Sequence, residues 1–240
     1  VDGQLRDKVA SGVAWSMAEK VGTMLLQLAV SLTILRLLNP AIMGVIAIPT
    51  AFLAVAIVIA DSGFSQALIR KGTPTADDYK SVFAFNVGVA LVLYGVLVAL
   101  AGSIARFYDM PEITRIAPVF FLQLPLSAAC AIQNTIFVRT FRFALLSKVT
   151  FASWFIAGMV AIGLALAGFG IWCIVVQRVL QASVRALLLW WLSDWRPCGK
   201  CSRRPLREMA PYSFSLLATD FISTLYNNCL LYTSPSPRDR

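Results

Sequence analysis

The sequence predicts an all-α polytopic membrane protein: a bundle of six transmembrane helices plus the start of a seventh. Three observations carry this. Hydrophobic residues make up 58% of the chain and charged ones only 14%, with a mean hydropathy of +0.74. Ordinary soluble domains do not reach such values. The apolar residues come in runs of about 20, which at a rise of about 1.5 Å each cross the hydrocarbon of a bilayer. The basic residues behind a net charge of +9 gather in alternate links between those runs. That pattern marks cytoplasmic loops and excludes a nucleic-acid footprint.

Catalytic and metal chemistry is thinly supplied. The chain has no histidine, which removes imidazole acid–base catalysis and imidazole metal ligands. Cys130 and Cys173 sit inside apolar runs as small core residues, and Cys198 and Cys201 form a CxxC with no second pair to complete a four-thiolate zinc site. No metal or cofactor is expected.

Residues 1–11 form a short polar lead that is expected to be cytoplasmic. The first span, residues 12–38, carries Glu19, Thr23, Gln27 and Ser31 four residues apart along one face, with Lys20 beside them. Such a stripe belongs inside the bundle, as a wet surface or as interhelical hydrogen bonds. The second span, residues 41–68, contains Pro49 as a kink and Asp61 late in its course. Asp61 reads as an ion site, or as the cap of a short amphipathic turn, FSQALI. The cap is preferred, because Arg70 and Lys71 mark the membrane surface just beyond.

Residues 72–80 read as a polar loop and residues 81–104 as a third span, interrupted only by Asn86 and Tyr94. The fourth span, residues 113–137, is broken by Pro118 and Pro125 and places Gln123, Ser127 and Asn134 on one side. Prolines are tolerated in a spanning helix where neighbours or water satisfy the freed carbonyls, which suggests a face on a cavity. After a basic link, residues 138–148, the fifth span covers residues 149–166. Its Ala152, Gly158, Ala161 and Gly163 allow close helix contact. The Gly168-Phe-Gly170 turn leads into the sixth.

That sixth run, IWCIVVQRVLQASVRALLLWWL (residues 171–192), is the most informative. It is apolar enough to span, yet Arg178 and Arg185 lie inside it with Gln177 and Gln181. Arg178, Gln181 and Arg185 stand at i, i+3 and i+7, on one helical face. A guanidinium facing lipid is costly, so this face should turn to a protein interior or a watery cavity. The alternative is that Arg185 snorkels to the nearer interface.

The six-span bundle is thus expected over residues 12–193, a basic cytoplasmic loop over 194–208 and a truncated seventh span over 209–228, with Asp220 inside it. Residues 229–240 fit nothing before them. CLLYTSPSPRD resembles one reading frame of a sequencing-library adapter, so the chain is expected to be a fragment. Loop charge places the N-terminus in the cytoplasm: Arg6, Lys8, Arg70, Lys71, Lys80, Arg139, Arg142, Lys148 and the 194–208 cluster all fall on one side.

Several segments together resemble the oligosaccharide and polysaccharide flippases of the multidrug/oligosaccharidyl-lipid/polysaccharide exporter superfamily. They are LRLLNPAIMGVIAI (35–48), DSGFSQALI (61–69), DDYKSVFAFN (77–86), ARFYDMPEI (105–113), QNTIFVRTFRF (133–143) and GFGIWCIVVQRVL (168–180). The resemblance implies two six-helix bundles around a V-shaped cavity, of which this chain would be the first, and alternating access between two leaflets. It implies an undecaprenyl-pyrophosphate-linked oligosaccharide as substrate in a bacterial inner membrane. A polysaccharide polymerase and export machinery would be partners, with no nucleic acid.

The residues fit that implication. A pyrophosphate needs cations partway across the membrane, and Arg178, Arg185 and Lys20 supply them. Sugars need amides, which Gln27, Gln123, Asn134, Gln177 and Gln181 supply. Glu19 and Asp61 are candidates for ion coupling. The rivals are a cation-coupled drug or metabolite antiporter, which would rest on buried acids, and a membrane glycosyltransferase or polymerase. The latter would need catalytic carboxylates or a long loop, and neither is evident.

Overall fold

The computed structural model describes residues 2–37, 40–61, 63–71 and 74–197, with further helical residues between 206 and 226. Expectations placed on Cys198, Cys201, Asp220, the side chain of Glu19 and residues 227–240 lie outside the described residues. The described chain is helical throughout its ordered elements: α1 (Asp2–Leu37), α2 (Pro40–Asp61), α3 (Phe64–Arg70), α4 (Ala76–Phe107), α5 (Glu112–Phe120), α6 (Gln123–Arg139), α7 (Phe143–Leu166) and α8 (Trp172–Leu192). Among the described residues six helical stretches are long and apolar enough to cross a membrane, α5 and α6 together making one of them. The chain is an all-α, multi-pass membrane protein.

The second span, expected over residues 41–68, is corrected: α2 ends at Asp61 and, after Gly63 at φ 68°, α3 follows as a separate short helix. Three helix starts also differ from expectation, each for a local reason. Helix α1 begins at Asp2, because the polar lead holds good helix formers and no proline. Helix α4 begins at Ala76, because Thr75 and Asp78 form a reciprocal capping box. The Thr75 hydroxyl accepts from Asp78 N–H at 3.3 Å, and the Asp78 carboxylate accepts from Thr75 N–H at 2.8 Å. Asp78 also pairs with Lys71 at 2.8 Å, which ties the α3–α4 link. Helix α7 begins at Phe143, so the 138–148 link shrinks to one tight turn in which Phe141 takes a positive φ.

The fourth span does break, and the break is well satisfied. Helix α5 ends at Phe120 and α6 starts at Gln123, which puts Pro125 in the first turn of α6, where its missing N–H is no loss. The shortened turn leaves two carbonyls without their usual helical donors. Tyr94 on α4 donates its hydroxyl to Pro118 O at 3.1 Å, and the Gln123 amide donates to Phe120 O at 2.8 Å. Gln123 therefore mends the backbone break, and it is not among the residues that line the two cavities described below.

In the packing, α1 runs along α7, α7 along α8, and α6 lies against both α4 and α8. Ala157, Ala161 and Gly158 form the buried face of α7. Gly158 lets α1 approach so closely that a Cβ there would stand 2.9 Å from Val30 Cγ2, whereas Gly163 faces open space. The small-residue contact is thus local to residues 157–161. At the end of the bundle where the basic links gather, Arg139 donates to the carbonyls of Leu68, Ile69 and Lys71 at 2.6, 3.0 and 2.7 Å. This holds the C-terminus of α3 against α6 and complements its dipole.

Two stability predictions follow from these contacts. Gly158→Val should cost about 1–3 kcal/mol by overpacking against the stiff Val30 side chain, with partial recovery in the Val30→Ala double variant. Tyr94→Phe should cost about 1–3 kcal/mol because Pro118 O then lacks a donor. Thermal unfolding of the detergent-solubilised protein reads both.

Candidate functional site

Two half-open cavities with polar groups among their lining residues indent the bundle, and α8 serves both. The larger, about 520 Å³, lies between α1, α2, α7 and α8. Its polar lining is Gln27 and Ser31 from α1 and Gln177 and Arg178 from α8, with Trp154 of α7 and Met24, Leu28, Ile34, Ile46 and Ile174 as apolar walls. Gln177 is buried, whereas Gln27 and Arg178 are exposed along the cavity's open side. The Arg178 guanidinium lies 5.8 Å from the centroid of the Trp154 ring, a cation–π placement that steadies the charge without neutralising it. No acidic residue is among the described residues lining this cavity.

The smaller cavity, about 180 Å³, lies between α2, α3, α4, α6 and α8. Asp61, Ser65, Asn86, Ser127, Asn134 and Arg185 supply its polar surface. Ser65 donates to Asp61 Oδ1 at 2.6 Å, and Asn86 Nδ2 donates to Ser65 Oγ at 3.4 Å. From the other wall, Arg185 Nη2 donates to Asn134 Oδ1 at 3.2 Å. Two buried atoms on this surface, Asn86 Oδ1 and Arg185 Nε, have no hydrogen-bond partner among the described residues.

These placements sort the sequence candidates. Gln27, Gln177 and Arg178 come together in the larger cavity, and Asp61, Asn134 and Arg185 in the smaller. The two arginines share a helical face but not a cavity: seven residues separate them by about 10 Å along the axis. Arg185 turns inward to Asn134, against the snorkelling alternative. Gln181 is half-buried between the two arginines and lines neither cavity, and Lys20 is exposed and lines neither. Thr23 of the α1 stripe is buried and donates to Lys20 O, while Gln27 and Ser31 face the cavity.

The preferred reading of Asp61 as a cap is corrected. Gly63, with φ 68°, holds the position before α3 and makes no side-chain cap bond. Asp61 instead ends α2 on the cavity wall, bonded to Ser65. Sequence reasoning passed over Ser65, Asn86 and Trp154. Asn86 was visible as the one amide in a smooth apolar run, but its neighbours on α3 and α8 were not.

The described residues thus form a membrane-spanning helical bundle in which intramembrane cations and amides line two cavities. Residues 33–231 match the family described as polysaccharide biosynthesis protein. The chain belongs to that family. It is 25% identical over 227 residues to the succinoglycan biosynthesis transport protein ExoT of Rhizobium meliloti (strain 1021), covering 95% of this chain and 45% of the relative. It is 23% identical over 177 residues to the teichuronic acid biosynthesis protein TuaB of Bacillus subtilis (strain 168), covering 71% and 36%. An uncharacterized membrane protein in the cps region of Klebsiella pneumoniae is 21% identical over 218 residues, covering 88% and 44%. The chain thus spans less than half the length of these curated relatives. No solved structure matches it.

If the larger cavity is wet, thiols placed in it should be reachable from water. In a variant with Cys198, Cys201 and Cys229 changed to serine, Gln27→Cys and Ser31→Cys should react with a membrane-impermeant maleimide roughly ten-fold faster than Leu25→Cys, since thiol reactivity follows access. Equal rates at all three positions would contradict a hydrated cavity.

Proposed function

We propose that this chain forms part of a transporter that flips lipid-linked oligosaccharide across the bacterial inner membrane for polysaccharide or lipopolysaccharide assembly, with no catalytic step of its own. The observation that carries this reading is the larger cavity, where Arg178 stands over Trp154 between Gln27 and Gln177 with no carboxylate among the described lining residues. An intramembrane cation of this kind, with no counter-ion among the described lining residues, favours an anionic ligand. Undecaprenyl pyrophosphate offers such an anion at the head of a membrane-resident tail. A guanidinium fork suits phosphate oxygens, and amides suit the sugar hydroxyls beyond.

The names of two relatives, succinoglycan biosynthesis transport protein and teichuronic acid biosynthesis protein, support a polysaccharide cargo. In this reading the basic links face the cytoplasm, as does the N-terminus, by the excess of Lys and Arg on that side. The open side of the larger cavity is completed by a second bundle, and the substrate crosses as the two bundles rock about it. A polysaccharide polymerase and export machinery take up the product. Asp61 on the smaller cavity keeps one rival in view, a cation-coupled antiporter of the same superfamily, since intramembrane carboxylates are the usual ion sites.

The test is transport by the full-length gene product in proteoliposomes containing a polyprenyl-diphosphate oligosaccharide. Arg178→Ala should lower the rate about 10- to 100-fold, the loss of a charge-assisted contact, with Arg178→Lys between it and wild type. Lys20→Ala should have little effect. Wild-type rates in Arg178→Ala at equal protein abundance would sink the proposal.

A further inference from the structure

Little holds the Arg178 guanidinium in place. Among the described residues no hydrogen bond or ion pair reaches it, and what stands beside it is the Trp154 ring, whose centroid lies 5.8 Å from Cζ. Both side chains line the larger cavity, one from α7 and the other from α8.

The backbone under each is firmly packed. On α7, Ser153 and Ala157 near Trp154 are fully buried, and the Ser153 hydroxyl donates to Thr150 O at 2.8 Å. On α8, Val175 and Gln177 near Arg178 are buried too. Helix α7 packs against both α1 and α8. The exposed arginine side chain is therefore the part left free to move.

A long side chain that is free beforehand must be ordered when a ligand arrives, and that ordering lowers affinity. A carboxylate partner would order Arg178, but it would occupy N–H donors and repel an anionic ligand. An indole ring does neither. It attracts the positive charge through its π face and uses none of the five guanidinium N–H groups. Those donors stay available for phosphate oxygens.

Resting on the proposed function, we infer that Trp154 is a positioning residue for the transported lipid: it pre-orders Arg178 in the larger cavity and contributes to diphosphate binding only through that arginine. The role requires an aromatic ring at position 154, and apolar bulk alone does not fill it.

The experiment measures binding of a sugar-free polyprenyl diphosphate to the full-length protein in nanodiscs. Trp154→Leu should weaken binding about five- to ten-fold, the scale of a partly desolvated cation–π contact. Trp154→Phe keeps a ring, though a weaker one, and should stay within about three-fold of wild type. Arg178→Ala alone should bind weakly, and adding Trp154→Leu to it should change affinity by less than about two-fold. Such non-additivity is the mark of a residue that acts through its neighbour. Trp154→Met serves as a second ring-free variant, and thermal unfolding checks that the variants compared remain folded.

Wild-type affinity in Trp154→Leu and Trp154→Met would overturn the positioning role. So would an equal loss in Trp154→Phe and Trp154→Leu, or an undiminished loss when Trp154→Leu is added to Arg178→Ala. Each of these leaves the Arg178 anion site standing if Arg178→Ala alone weakens binding. If Arg178→Ala binds the lipid as wild type does, the positioning role and the transport reading fall together.

Discussion

A guanidinium inside a bilayer has to be hydrated, paired or turned to a neighbour, because exposure to lipid costs several kcal/mol. Helix α8 holds two, and the bundle is arranged around that constraint. Arg185 is turned into the protein, bonded to Asn134 on α6 and facing the Asp61–Ser65–Asn86 chain that α2, α3 and α4 bring together. Arg178 is kept at an open cavity, with the face of Trp154 beside it. The same helix thus carries one cation in a charge-balanced pocket and one in a pocket with no acid among its described lining residues. That difference in surroundings, not the residue type, gives the two cavities different chemistry.

Holding such groups in place needs rigid neighbours, and the broken fourth span supplies them in an unexpected way. A proline break in hydrocarbon is tolerable only if the carbonyls it frees find donors. Tyr94 reaches across from α4, and Gln123 reaches back from the start of α6. With those two bonds made, α6 can start afresh and present Ser127 and Asn134 to the smaller cavity. The polar residues of the fourth span therefore divide into repair and lining. Arg139 then fixes the far end of α6 to α3, the helix that brings Ser65 to the cavity wall.

Much of the fold was legible in the sequence because transmembrane length and apolar composition are nearly one-dimensional properties. The sixth span was read to within a residue of α8, and the Gly168 and Gly170 turn falls where both take positive φ. Errors came where local chemistry competed with composition. Thr75-x-x-Asp78 is a capping box written in the sequence, yet hydropathy alone read it as loop. The site was half legible. Periodicity put Arg178 and Arg185 on one face, but a face is not a cavity. Which helices stand opposite each turn depends on tertiary packing, and that decided that Gln27 joins Arg178, that Asn134 and Asp61 join Arg185, and that Lys20, Gln123 and Gln181 line neither cavity.

The central claim is that the polar interior along α8, and not the apolar outer face, meets the substrate. The most direct measurement is photo-crosslinking of the full-length protein with a diazirine-bearing polyprenyl-diphosphate oligosaccharide, the label sited next to the diphosphate, followed by peptide mapping. The account predicts adducts around Gln177 and Arg178 on α8 and around Gln27 and Ser31 on α1, suppressed by unlabelled lipid diphosphate. Adducts confined to the exposed apolar stripe of α1, at Met17, Val21, Leu25 and Leu32, and insensitive to competitor would contradict it.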